Sequence, residues 1–220
     1  MTKGEPQYQE RIARTIAQGP ERLGLMTSWA YLEDPKRIAF TVARYKFVAK
    51  MLAGFGRVLE VGCGDAFATR IVLQAVKELV AIDRDPAFVA DALERMRPEW
   101  PYEIRAHDLR DSPVEGWFDA VYALDVLEHV DPDLEDAFLR NMIAGLGSAG
   151  VAILGLPSIQ SQTFAASDSG HVNCKDQAAL GVTMRRYFGN VFLFSMNDEV
   201  IHTGFGPMSQ YNIALCVGPR

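Results

Sequence analysis

Arg57 to Arg70 reads R-V-L-E-V-G-C-G-D-A-F-A-T-R. Val58-Leu59-Glu60-Val61 is a short apolar run of the kind a buried parallel strand needs. Gly62 and Gly64 follow at once, and without a Cβ they permit a sharp turn and let a ligand approach the backbone. The helix predicted next offers the free N–H groups of its first turn to polar ligand atoms. A dinucleotide-binding loop has the same strand, turn and helix but adds a third glycine; Phe67 stands at that position and argues against it. Glu60 argues the same way, since a carboxylate in an apolar strand must be paired or put to use and repels a pyrophosphate. A cationic or amine-bearing ligand suits it better.

On these residues, Val58 to Gly64 resembles the first motif of the class I S-adenosylmethionine-dependent methyltransferases, V-L-E/D-x-G-C-G-x-G. The departure is Ala66, where many members carry another glycine. The resemblance implies an α/β fold with N-terminal helices and a doubly wound, seven-stranded, mostly parallel sheet of the Rossmann-like methyltransferase type. It also implies S-adenosylmethionine as cofactor, with Gly62 and Gly64 on its methionine part and Glu60 and Cys63 among the binding residues. A nicotinamide oxidoreductase is the competing reading.

The chain supports this order of elements. Leu79 to Asp83 is a second apolar strand ending in an acid, and an acid there lies beside the first loop, where it accepts from ribose hydroxyls. Asp83 and the adjoining Arg84 therefore join the cofactor set. Tyr102 to His107 alternates as a strand, and by the resemblance Asp108 accepts from the adenine amino group while the Leu109 N–H meets the ring. Phe118 to Ala123 is a fourth strand whose tip, Leu124, completes that set. Val151 to Gly155 reads as the fifth strand, with Gly147 and Gly150 breaking the preceding helix. Asp176 to Phe188 reads as a helix, and Val191–Met196 and Tyr211–Val217 as the last two strands.

The 220 residues, 49% hydrophobic and 23% charged, suit one domain with a full core, divided into a helical lid segment (1–53) and the cofactor-binding part (54–220). A formal charge of −6 argues against nucleic acid, whose capture needs a basic surface. No apolar run reaches membrane-spanning length, and Met1 to Glu5 has no signal-peptide core, so a cytoplasmic protein is expected, with no membrane partner; a homodimer is allowed for. Three cysteines without ligand spacing indicate neither disulfides nor a zinc ribbon. In the N-terminal part, Asp34-Pro35 starts a helix to Leu52 that places Ile38, Val42, Tyr45, Val48, Ala49 and Leu52 on one stripe. Tyr31, Arg44 and Tyr45 are lid candidates, and Tyr45 is counted with the cofactor set.

Methyl transfer to a hydroxyl needs alignment and a proton acceptor. Histidine suits the second task near neutral pH. His129 and His171 fall on loops at the carboxyl edge of the sheet and are the candidate catalytic residues; His107 lies in a strand, and His202 between the last two. Asp125-x-x-Glu128-His129 with His171 also forms a candidate magnesium set. It resembles the acid-x-x-Glu-His motif of metal-dependent O-methyltransferases acting on catechol-like quinone precursors or RNA ends, with Asp125 where Glu is usual. Ser158 to Asn173 is read as shaping the acceptor pocket. Gly170–Asn173 and Phe194–Phe205 resemble bacterial methyltransferases of surface-polysaccharide and sugar pathways, which implies O-methylation of a small polar hydroxylated acceptor such as a sugar or glycan precursor. The alternatives are N- or C-methylation of a small metabolite and a non-catalytic cofactor-binding module.

Overall fold

The computed structural model describes residues 4–164 and 170–220. Three helices come first: α1 (Pro6–Gln18), α2 (Leu25–Glu33) and α3 (Lys36–Met51). Then follow β1 (Arg57–Val61), α4 (Thr69–Leu73), β2 (Glu78–Asp83), α5 (Pro86–Arg95), β3 (Glu103–Ala106), β4 (Phe118–Leu124), α6 (Glu135–Ile143) and β5 (Leu146–Pro157). The chain ends with α7 (Gln177–Arg185), β6 (Phe188–Asn197), β7 (Val200–His202) and β8 (Tyr211–Pro219). All strands join one mostly parallel sheet in the order β3-β2-β1-β4-β5-β8-β6-β7. β1 to β5 pair in parallel, while β8 runs antiparallel to both β5 and β6, and β7 antiparallel to β6. The order reverses between β1 and β4, so the loops after these strands diverge and open a crevice at their carboxyl ends.

The sheet has eight strands where the sequence reading has seven. The additional strand, β7, pairs three residues of β6, too few for an alternating pattern to stand out. The helix after the glycine turn begins only at Thr69. β5 starts at Leu146, so Gly147 and Gly150 lie inside a strand, at a register shift opposite Phe118 and Ala120, rather than breaking a helix.

Alternation along β1 divides the core in two. Leu59 and Val61 join the cluster that includes Phe138, Leu139, Met142, Leu180 and Met184 of α6 and α7. Val58 faces the other way, with Tyr45, Val48 and Leu52 from α3 and the turn after it. Full burial of such apolar side chains contributes about 1.5–3 kcal/mol each, which fixes α3 across the sheet and carries Tyr45 to Glu60, the next residue on that face of β1. Ile38, Val42 and Ala49, expected on the same stripe, are only half-buried.

α2 has no side-chain cap of its own. Asp65, in the glycine turn, supplies one: its carboxylate accepts from Thr27 N at 2.7 Å and Thr27 Oγ1 at 3.0 Å. Leu25 N donates to Asp91 Oδ2 at 3.2 Å, and Arg95 holds Asp91 at 2.8 Å. A cap is worth about 1 kcal/mol, and these contacts tie α2 over the crevice. Among the described residues, no helix is long and apolar enough to cross a membrane.

Candidate active site

The crevice is a cavity of about 520 Å³. Its floor is made by Gly62, Cys63 and Gly64 after β1, Asp83 and Arg84 after β2, Asp108 and Leu109 after β3, and Leu124, Asp125 and His129 after β4. Met26, Trp29, Arg37, Thr41 and Tyr45 of α2 and α3 cover it, and Phe67 and Phe88 add apolar wall. The two loop glycines serve different needs. Both have positive φ (71° and 54°), but a Cβ on Gly62 would stand 2.3 Å from Val126 Cγ2, whereas one on Gly64 would meet nothing within 4 Å. Gly62 lets the loop after β4 approach; Gly64 leaves backbone open to a ligand. Ala66, where the resemblance expects glycine, has φ 54°, a conformation costing a residue with a Cβ about 1–2 kcal/mol.

The acids on the cleft wall already hold protein groups. Asp83 is buried; its Oδ2 accepts from Gly64 N at 2.8 Å and its Oδ1 from Asp85 N at 2.9 Å. The second strand's acid thus shapes the first strand's loop. Asp108 forms a two-pronged pair with Arg110, and that guanidinium holds its carboxyl below the ordinary aspartate value.

Glu60 lies behind the wall rather than on it. It is 1% exposed, and its Oε1 accepts from Tyr45 OH at 2.7 Å while Oε2 has no partner. Burial pushes its carboxyl up to about 7, with the hydroxyls of Thr69, Tyr45 and Tyr122 pulling the other way. A carboxyl raised in this way contributes stability fully below about 4.5, and that contribution is lost as pH rises through about 7. The gap amounts to about 3 kcal/mol. Glu60→Gln, which cannot ionise, is therefore expected to unfold in urea with a flatter stability profile between pH 5 and pH 8 in cofactor-free protein; parallel profiles for the two proteins would refute the assignment.

At the other end, Asp125 at the tip of β4 has φ 58° and pairs with Arg44 at 2.6 Å, whose guanidinium carbon lies 3.9 Å from the Tyr211 ring centroid. A single 3-10 turn at Leu127–His129 buries Glu128 and exposes His129. Both Glu128 carboxyl oxygens are buried without a hydrogen-bond partner, and burial followed by the charge of Asp125 holds the group well above the ordinary glutamate value. His129 Nδ1 lies 3.2 Å from the Gly170 carbonyl, and His171 Nδ1 lies 2.7 Å from Gln162 Oε1. Oxygens of this kind only accept, so each Nδ1 donates, and in the neutral ring Nε2 is the acceptor. The two rings meet edge to face, with centroids 5.0 Å apart. Burial, then the neighbouring His129, hold His171 below the usual imidazole value, favouring its neutral form.

Of the residues singled out from sequence, Tyr45, Gly62, Cys63, Gly64, Asp83, Arg84, Asp108, Leu109, Leu124, Asp125 and His129 line the cleft; Glu60, Glu128 and His171 do not. Donor atoms of Glu128, His129 and His171 lie within 4.8 Å of one another, and Asp125 is not in that group. Of the lid candidates, Tyr31 and Arg44 are off the wall, and Trp29 stands there instead. His107 lines the cleft, whereas His202 holds Asn197 at the end of β6 and the Gly204 amide beyond β7. Of the segment Ser158–Asn173, residues 165–169 lie outside the described residues. Sequence reasoning missed Trp29, Arg37 and Asp65; the cap from Asp65 to Thr27 spans 38 residues, so no local signal could have shown it.

Residues 58–150 match the family described as Methyltransferase domain. The ubiquinone biosynthesis O-methyltransferase of Xanthomonas campestris pv. campestris (strain B100) is 30% identical over 136 residues, covering 59% of this chain and 56% of that protein. The chain thus spans about half the length of the curated relatives it matches. Among solved structures, the N-methyltransferase NodS from Bradyrhizobium japonicum WM9, in complex with S-adenosyl-L-homocysteine, superposes with a TM-score of 0.65 at 16% identity, over 98% of this chain and 100% of that one. A TehB-like SAM-dependent methyltransferase from Corynebacterium glutamicum ATCC 13032 Kitasato gives 0.60 at 17% identity, over 97% of each chain. At these identities the structural likeness is one of fold. Residues 58–150 thus match the family of methyltransferase domains, and the chain has the fold of these solved methyltransferase structures.

Proposed function

We propose that this chain transfers a methyl group from S-adenosylmethionine to a hydroxyl of a small polar acceptor, of the sugar or glycan-precursor class. The observation that carries the reading is one cleft with two chemically different ends: a glycine turn with Asp83 and Asp108 at one, and an imidazole, His129, with a free Nε2 at the other. S-adenosylmethionine fits the first end. Gly64 leaves room for it at the backbone, and Asp83, at the tip of β2 on the cleft wall, suits its ribose hydroxyls. When bound, it supplies a methyl group on a positively charged sulfur. The chain's own part is to hold the two ligands in line, to exclude water with α2 and α3 as a lid over residues 54–220, and to take the acceptor's proton on His129 Nε2. The curated relative is named an O-methyltransferase, which favours oxygen, while NodS is named an N-methyltransferase, so the fold leaves the atom to experiment.

Magnesium does not fit the second end. It prefers oxygen ligands in near-octahedral order, whereas Glu128, His129 and His171 offer two imidazole nitrogens and a single carboxyl, with Asp125 drawn away by Arg44. No step is assigned to an ion.

Calorimetry with S-adenosylhomocysteine, NAD and NADP, followed by transfer of labelled methyl from S-adenosylmethionine to hydroxyl, amine and activated-carbon acceptors, tests the reading. S-adenosylhomocysteine is expected to bind and label to appear on oxygen. Dinucleotide binding without S-adenosylhomocysteine binding would replace the proposal with an oxidoreductase; label on nitrogen or carbon would move the acceptor class; binding with no transfer to any acceptor would leave a cofactor-binding module.

A further inference from the structure

The acids on the cleft wall are all engaged: Asp83 by two backbone amides, Asp65 by Thr27, Asp108 by Arg110 and Asp125 by Arg44. Two guanidiniums on the wall, Arg37 and Arg84, have no ion pair among the described residues. Arg84 follows Asp83 in the chain and its charge acts on Asp108, in the cofactor end. Arg37 stands elsewhere. It shares a face of α3 with Thr41 and Arg44, at i, i+4 and i+7, and Arg44 reaches Asp125 at the tip of β4. With 1.5 Å rise per residue, Arg37 lies about 10 Å along the helix from that contact. Its guanidinium carbon lies over the Trp29 ring, 5.2 Å from the centroid, a cation–π seat that leaves its N–H donors to an anion.

We infer that Arg37, seated on Trp29, binds a carboxylate or phosphate of the methyl acceptor, so that the acceptor is an anionic hydroxylated compound whose charged group lies about two helical turns from Asp125. This rests on the methyltransferase reading and narrows it from polar acceptors in general to charged ones. A free cation on a cleft wall repels a cationic acceptor and gains nothing from a neutral one, whereas an anion makes charge-assisted, two-pronged hydrogen bonds with it. Trp29 and Met26 on the same side give the body of the acceptor an apolar surface to lie on.

The test loads the protein with S-adenosylhomocysteine and measures, by calorimetry, binding of two matched pairs: para-hydroxybenzoate against para-hydroxybenzamide, and glucose 6-phosphate against glucose. The pairs separate a carboxylate from a phosphate. At least one charged member is expected to bind about tenfold more tightly than its neutral partner. Arg37→Gln is expected to erase that preference with S-adenosylhomocysteine affinity unchanged, and Arg37→Lys, which keeps the charge but not the planar fork, to retain part of it. Equal binding within both pairs, failure of both anions to bind, or a preference that survives Arg37→Gln overturns the inference while leaving the cofactor reading intact. Failure of the parent protein to bind S-adenosylhomocysteine overturns both.

Discussion

His129→Ala is expected to lower turnover by about 10²–10⁴-fold with S-adenosylhomocysteine affinity nearly unchanged. The expectation rests on direction as much as on residue type. The Gly170 carbonyl fixes the Nδ1 proton, so Nε2 is the basic atom, and His129 is on the cleft wall while His171 is not. His171, shifted toward its neutral form by burial and by His129, lies with its ring centroid 5.0 Å away and so opposes protonation of its neighbour less than a charged imidazole would. His171→Ala is therefore expected to cost turnover much less than His129→Ala, and a chelator to leave activity unaltered. Full activity in both alanine variants would leave alignment alone as the catalytic device. Loss of activity to a chelator, restored by added metal, would instead make Glu128, His129 and His171 ligands.

The parts of the molecule legible in the sequence are those whose cause is local. β1, its glycine turn and β2 follow from apolar runs, two glycines and a terminal acid within 27 residues of Arg57. The helix expected from Asp176 has an equally local cause: the Asp176 side chain accepts from Ala179 N three residues on. What stayed hidden has causes far along the chain. Asp125 stood in a motif that suggests a metal ligand, but Arg44, 81 residues earlier, takes its carboxylate. Glu128 and His129 are adjacent in sequence, and the 3-10 turn that carries them sends one inward and the other outward, a difference no spacing rule contains. Trp29 lines the cleft in place of Tyr31 because the position of α2 is set by Asp65, Asp91 and Arg95, none of them within the helix.

Replacing Asp83 is expected to weaken cofactor binding by about tenfold or more, and the structure gives that prediction two separable causes. The carboxylate holds Gly64 N and Asp85 N, so Asp83→Ala leaves two amides without their acceptor and loosens the loop; each orphaned donor costs about 1–3 kcal/mol when water cannot replace the partner, and the open cleft puts these toward the lower end. The same carboxylate, on the cleft wall, is also placed to accept from ribose hydroxyls. Asp83→Asn separates the effects, since it keeps the side-chain volume and one oxygen but removes the charge and turns a donor toward one of the amides. Measured against S-adenosylhomocysteine and its analogue lacking the ribose hydroxyls, a direct bond predicts non-additive losses: the analogue should bind Asp83→Asn about as well as S-adenosylhomocysteine does. If the two losses simply add, Asp83 shapes the glycine turn without touching the ligand, and the hydroxyls find their partner elsewhere on the wall. The analogue is the sharper probe because loop loosening alone would weaken both ligands equally, whereas only a shared hydrogen bond makes the second deletion cost nothing.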